Sequence, residues 1–357
     1  MTALHAIKKT ACAIGLVGLF ALVLEMCART DDWLKWRAPF WSNYSADLLR
    51  AEDVSEWPGR FGGQYEKWRL NRYGFRGPEL ALEKPPGTAR VIVTGASEAF
   101  GLWETPGKEF PAQMQALLDE ARPGRYEVVN ASHAGMTVPR ITHYFGTWLR
   151  QFRPDVVIVY VPPVFYLNDP APGEVTMIAG HIQARPQLRI AQKARTVAQR
   201  LIPRWAQARL VQYSISRTVR QHELGWVWED APADRLALMQ EHLEDLIRQV
   251  QAEGVRIILA THATRFSAEL TDEDRRLLAR WRGFYPRASE QCIIEMQAKG
   301  NQIIKDLGRR FSLPVVDVDA SLPKSPAIFA DFAHFTDQGA HAVAALFVVQ
   351  LLEEEQD

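Results

Sequence analysis

A serine stands directly behind a short apolar run in Val93-Thr94-Gly95-Ala96-Ser97-Glu98. If that run is a buried strand, Ser97 lies at the carboxyl edge of a sheet, where open α/β folds bind ligands. Gly95 permits a tight turn out of the strand. The backbone N–H groups that open the next segment are then free to face a developing oxyanion. A glycine-x-serine is common, and a serine that only caps a helix looks the same. Far downstream, Asp331-Phe332-Ala333-His334 precedes a C-terminal helical pattern. A spacing of three puts both side chains on one side of a turn, so the aspartate can hold the imidazole in one tautomer while the other ring nitrogen faces a serine hydroxyl. A surface Asp/His pair has the same signature. A third stretch, Val129-Asn130-Ala131-Ser132-His133-Ala134-Gly135, follows a second apolar run. Gly135 there can present its N–H at close range, because it has no Cβ in the way.

Other histidines compete for attention. His262 follows a fourth apolar run in Thr261-His262-Ala263-Thr264-Arg265 and is expected to line the pocket as a substrate-binding residue. His133 and His143 are expected to be structural or wall residues, and His341 to face solvent from the last helix. None has metal-ligand spacing beside another ligand cluster, so neither a metal nor a cofactor is expected.

The elements that must position these residues alternate. Arg90–Thr94, Tyr126–Asn130, Asp155–Val161, Val255–Thr261 and Leu313–Val318 read as strands. The third is a continuous apolar run, as expected of a strand buried on both faces. Phe110–Ala121, Arg140–Gln151, Asp234–Glu253, Ile293–Phe311 and Thr336–Glu354 read as helices between and after them. Strands separated by helices imply a five-stranded parallel sheet covered on both faces, a three-layer α/β/α sandwich of flavodoxin-like type.

In order and placement these blocks resemble the SGNH/GDSL hydrolases over roughly Asn71 to the C-terminus. Gly95-Ala96-Ser97-Glu98 stands where that family has Gly-Asp-Ser-Leu, with Ala96 in place of the aspartate. Asn130 to Gly135 resembles the second block, whose glycine donates to the oxyanion hole, and Asp331-Phe332-Ala333-His334 resembles the last. Asn71-Arg72-Tyr73-Gly74-Phe75-Arg76-Gly77-Pro78-Glu79 is similar to a segment found in membrane-anchored bacterial members. The third block departs. The family has Gly-x-Asn-Asp after the third strand, whereas this chain runs into Pro162-Pro163-Val164-Phe165 and the asparagine position falls on Val164. Either a short insertion lets Asn168 of the following Asn168-Asp169 reach the site, or the side-chain donor is missing. The resemblance implies a serine ester hydrolase with Ser97 as nucleophile, His334 as base and Asp331 as its orienter, and with Ser97, Gly135 and Asn168 around the oxyanion. By analogy its substrate is an acylated envelope glycan, a lipid or a small molecule. Two alternatives stay open: O-acyl transfer by the same triad, and a non-catalytic polysaccharide-assembly protein on the same scaffold.

The chain has 357 residues, enough for one large or two ordinary domains, and 42 basic against 42 acidic side chains. That balance argues against a nucleic-acid partner. Cys12 and Cys27 lie in or beside the first apolar run, and Cys292 stands alone beyond it, which leaves no internal disulfide for a soluble part.

His5, Lys8 and Lys9 precede the uncharged run Thr10–Leu24. Glu25 interrupts it, and Met26–Ala28 extend it. A helix over Thr10–Ala28 is about 28 Å long, enough for a bilayer core. Basic residues before it and Asp31-Asp32 after it put the N-terminus in the cytoplasm. The expectation is a single-pass inner-membrane anchor over 1–28 with the catalytic part on the periplasmic side. A cleaved signal or a buried core helix are the rivals; Met26 fits the −3 position of a cleavage site poorly.

Residues 29–89 form an extension with Trp33, Trp36, Trp41, Trp57 and Trp68, placed either at the membrane interface or on the domain that follows. The hydrolase-like domain spans 90–357. It carries an insertion at 170–233 whose centre, Arg185 to Arg220, is basic and interleaved with apolar residues. One or two amphipathic helices are expected there, serving as a solvated face, a contact for anionic headgroups, or a cap for an acidic substrate.

Overall fold

The computed structural model of the chain describes residues 2–38, 40–41, 57, 59, 61–172 and 188–353. The elements that position the candidate residues belong to one parallel sheet. Strands β3 (Ala89–Gly95), β4 (Tyr126–Asn130), β5 (Val156–Tyr160), β6 (Arg256–Ala260) and β7 (Val315–Val316) are arranged in the order β4-β3-β5-β6-β7, every neighbouring pair parallel. Ahead of them stand the helix α1 (Thr2–Trp36) and a hairpin of β1 (Gln64–Tyr65) and β2 (Trp68–Arg69).

Alternation along each strand divides the interior. Ile92, Val157, Val159, Ile257 and Leu259 face one layer, packed with α4 (Val138–Thr147), α7 (Ala233–Ala252), α8 (Asp272–Arg282) and α9 (Glu290–Phe311). Val91, Val93, Val156, Ile158, Ile258 and Ala260 face the other, under α3 (Phe110–Ala121) and α11 (Asp337–Glu353). Period-two burial on both faces is what a sheet between two helical layers requires. The chain passes from β3 to β4 on one side, then crosses back past β3 to β5 on the other. The crevice at the carboxyl end of β3 is therefore a topological switch point.

Several boundaries differ from expectation. The last strand, read over Leu313–Val318, is only Val315–Val316. Asp317 turns the chain instead, accepting from Thr261 Oγ1 at 2.8 Å and capping the short helix α10 (Val318–Ser321). The helix read over Arg140–Gln151 ends at Thr147, and a 3-10 turn over Leu149–Phe152 follows. Helix α8 was not legible as a periodic segment, because its sequence is dominated by charge; a capping box between Thr271 and Asp274 starts it.

The apolar N-terminal helix is longer than the anchor expected over 1–28, running unbroken to Trp36. Pairs at i,i+4, Glu25–Arg29 at 2.7 Å and Asp31–Lys35 at 2.9 Å, support its last turns. Its stretch Lys9–Trp36 is long and apolar enough to cross a membrane.

The basic insertion supplies α5 (Arg189–Leu201) and α6 (Arg204–Val219). Residues 173–187, which include Arg185, and the stretch 42–56 of the extension lie outside the described residues. The end of α1 and the start of α5 hold each other. Glu25 accepts the backbone N–H of Arg189 at 3.0 Å and of Ile190 at 2.9 Å, while Arg189 also pairs with buried Asp32 and with Glu66, and Lys193 pairs with Asp31. Of the extension's tryptophans, two pack on the domain that follows. Trp57 is buried and donates to Gly74 O at 3.1 Å, and Trp68 packs beside Leu70 and Phe100. Trp33, Trp36 and Trp41 are exposed.

Candidate active site

Ser97 opens the short helix α2 (Ser97–Phe100) directly after β3. Gly95 is needed there for close approach: a Cβ on it would sit 2.4 Å from Tyr160 O and 2.8 Å from the Ala99 methyl. Any larger residue would push β3 off β5 and move the serine. Ala96, where the resemblance expects an aspartate, is fully buried and offers only a methyl group.

The C-terminal loop reaches the same point from the opposite end of the chain. A bridge between Phe329 and Phe335 and the bond Ala330 N–His334 O (2.8 Å) close a tight turn. Within it, Asp331 Oδ1 accepts the backbone N–H groups of Ala333 and His334, both at 3.0 Å. His334 Nδ1 lies 2.9 Å from Asp331 Oδ2, and His334 Nε2 lies 3.0 Å from Ser97 Oγ. A neutral imidazole bonded to the carboxylate through Nδ1–H leaves Nε2 free to accept the serine proton. Burial pushes the Asp331 carboxyl up, but its bond to His334 and the two backbone donors hold it below the usual range. Burial pulls the imidazole down, yet the Asp331 bond and the charges of Glu98, Asp331 and Glu104 hold it above the ordinary histidine value.

The loop after β4 borders Ser97 as well. Ala131 N donates to Val93 O (2.9 Å) and His133 N to Gly95 O (3.1 Å), extending the sheet past its last formal rung. Asn130 fastens this loop to α2 through Nδ2–Ala99 O at 3.0 Å. Gly135 follows with φ of +78°, a conformation that favours glycine. Its N–H and that of Ser97 donate to no acceptor among the described residues, so both are available to an oxyanion.

Asn168 lies on the loop that follows β5. It ends a 3-10 turn over Pro163–Leu167, and no hydrogen bond joins it to Ser97 or His334 among the described residues. Its neighbour Asp169 is tied to Arg287 at 2.6 Å, which directs this loop toward the α8–α9 connection. Val164, at the family's asparagine position, is buried in the core.

His262 does not line an open pocket, contrary to expectation. It is fully buried, with its backbone N–H and C=O both engaged by Asn301 and its Nδ1 2.7 Å from Gln297 Nε2. Its Nε2 lies 3.5 Å from Glu98 Oε1. His133 packs against Phe100, and His341 bonds Gln113 from an exposed position on α11.

Sequence reasoning missed Glu98. Its carboxylate is buried, with Oε2 3.3 Å from Ser97 Oγ. Burial pushes it up, but the His262 contact and the nearby His334 charge hold it down at about 2. An acidic residue in a first helical turn is ordinary, so no sequence signal distinguished it. Also unforeseen are Trp103, exposed with its ring 6.4 Å from that of His334, and Glu104, buried and pushed up to about 7 by loss of water.

No family model matches the sequence, and no curated protein matches it. Among solved structures, the chain is similar to a lipase/acylhydrolase from Enterococcus faecalis (16% identity, 74% of this chain and 95% of that chain, TM-score 0.43). It is similar to an acetyl xylan esterase from Geobacillus stearothermophilus (14%, 73% and 94%, TM-score 0.42). It is also similar to a lipolytic protein of the G-D-S-L family from Veillonella parvula (11%, 72% and 96%, TM-score 0.41).

Proposed function

We propose that the chain is a serine ester hydrolase that works through an acyl-serine intermediate. The observation that carries the reading is the line Ser97 Oγ–His334 Nε2–His334 Nδ1–Asp331, with spacings of 3.0 and 2.9 Å. A serine hydroxyl is a weak nucleophile until a base stands within about 2.6–3.2 Å, and here one does.

In the first step His334 Nε2 takes the Ser97 proton as Oγ attacks the ester carbonyl. The N–H groups of Ser97 and Gly135 receive the oxyanion. The carbon–oxygen bond to the alcohol then breaks, and the imidazolium returns its proton to that alcohol. Water repeats the sequence on the acyl-serine and releases the acid. With Val164 at the asparagine position, the hole rests on backbone donors. One side-chain donor is typically worth about a hundred- to a thousand-fold in kcat, so modest turnover is expected.

The substrate class that fits an anchored enzyme of this kind is an acylated envelope glycan or lipid. Helix α1, apolar over Thr10–Leu24 with basic residues before and acidic residues after, supports a single-pass anchor with the catalytic domain exported. Hydrolysis of p-nitrophenyl acetate by the full chain in detergent tests the reaction class. Activity is expected in the wild type and absent in Ser97→Ala; equal activity in both would refute the assignment.

A further inference from the structure

Beside the Ser97–His334–Asp331 line lies a second, fully internal chain of polar groups. Its far end is the backbone N–H of Val164, which donates to Gln297 Oε1 at 3.1 Å. That bond sets which way round the Gln297 amide sits, so its NH2 group meets His262 Nδ1 at 2.7 Å. Nδ1 must accept, and the neutral imidazole therefore carries its proton on Nε2. Nε2 stands 3.5 Å from Glu98 Oε1, at the outer limit of hydrogen bonding, and has no other acceptor among the described residues. The other oxygen, Glu98 Oε2, is 3.3 Å from Ser97 Oγ. Asn301 fixes His262 in place through both of its backbone groups.

The Ser97 hydroxyl therefore has two acceptors and one proton. While His334 is neutral, the hydroxyl points to Nε2 and is ready to react. Once His334 is protonated, Nε2–H donates to Oγ, and the hydroxyl proton can turn to Glu98. A buried charge in this position favours the imidazolium both by Coulomb attraction and by accepting that proton.

We propose that Glu98, aimed by the buried Val164–Gln297–His262 chain, is a second acidic partner of the Ser97–His334 couple, a positioning residue that sets the pH at which the serine is activated. The inference deepens the acyl-serine reading and rests on it for the role of His334 as base. Six groups bear on this balance. Asp331 faces His334 from its own loop, Glu98 from α2 and Glu104 from the segment after α2. His262 faces Glu98 from the end of β6, and Tyr160 and Tyr285 lie within reach of its charge. Held ionised down to about 2, Glu98 keeps its charge throughout the range in which a histidine titrates, whereas Glu104, pushed up to about 7, does not.

The test is nitrogen-15 NMR of histidine-labelled full chain in detergent micelles, with pH-dependent fluorophosphonate labelling beside it. In the wild type, His262 is expected to carry its proton on Nε2. In Glu98→Gln, the titration midpoint of His334 is expected to fall by about one pH unit or more, and the acid limb of labelling with it. An unchanged midpoint overturns the proposal, as does a His262 proton on Nδ1. If Glu98→Gln does not fold, the wild-type tautomer decides alone, Nε2 supporting and Nδ1 overturning. A His334 shift without any labelling would leave the Glu98 coupling standing and sink the hydrolase reading.

Discussion

At the scale of single residues, the site joins groups that chemistry wants together and folding alone does not. Asp331 serves both the ring nitrogen of His334 and two backbone N–H groups of its own turn. Asp331→Asn can keep the backbone bonds through its amide oxygen while presenting an NH2 group to Nδ1, which forces the wrong tautomer. Its expected effect is a fall in kcat of about 10³–10⁴-fold with folding retained, checked by ester turnover and circular dichroism.

The base must be unprotonated to act, and its surroundings hold it above the ordinary value of about 6.5. The rate should therefore rise with pH through a midpoint above that value; a limb below it contradicts the electrostatics described. The meeting of Ser97, Asp331 and His334 was legible because each carries a local signature, a strand end or a spacing of three. Glu98, Gln297 and Asn301 were not, because their roles arise only when α2, α9 and the end of β6 meet.

Among the elements, β3 depends on one buried cation. Arg90 is fully enclosed and binds Glu127 at 2.6 Å and the carbonyl oxygens of Ala81, Leu82 and Phe152. Arg90→Met leaves these acceptors unpaired and is expected to cost about 3–5 kcal/mol, read by denaturant unfolding. The joint between α1 and α5 is a second case. Arg189→Ala removes a partner of Glu66 and leaves Asp32 with Lys193 alone, and is expected to raise amide exchange across α5 while leaving that of the sheet unchanged. No change in α5 would mean that the backbone cap on Glu25 suffices.

Strands β3 to β6 were readable because β-branched runs bounded by turns have few other fates. The brevity of β7 was not, since it is decided by Asp317 bonding Thr261 across a distance no local window spans. Helix α8 hid for a different reason: its buried Leu278 and Trp281 are too few to make a period.

For the whole molecule, the long apolar helix is joined to helix α5 of the insertion by acid–base pairs. If α1 is the anchor, a reporter enzyme fused after Asp357 should be active only when exported. Activity confined to the cytoplasm would reverse the topology. The intact chain also allows the most direct test of the central claim. Full-length protein in membranes is treated with a fluorophosphonate, digested, and mapped by mass spectrometry. The predicted result is a single adduct on Ser97, absent in Ser97→Ala and slowed at least about a hundred-fold in His334→Ala. No adduct at Ser97, or an adduct on Ser132 in its place, would contradict it.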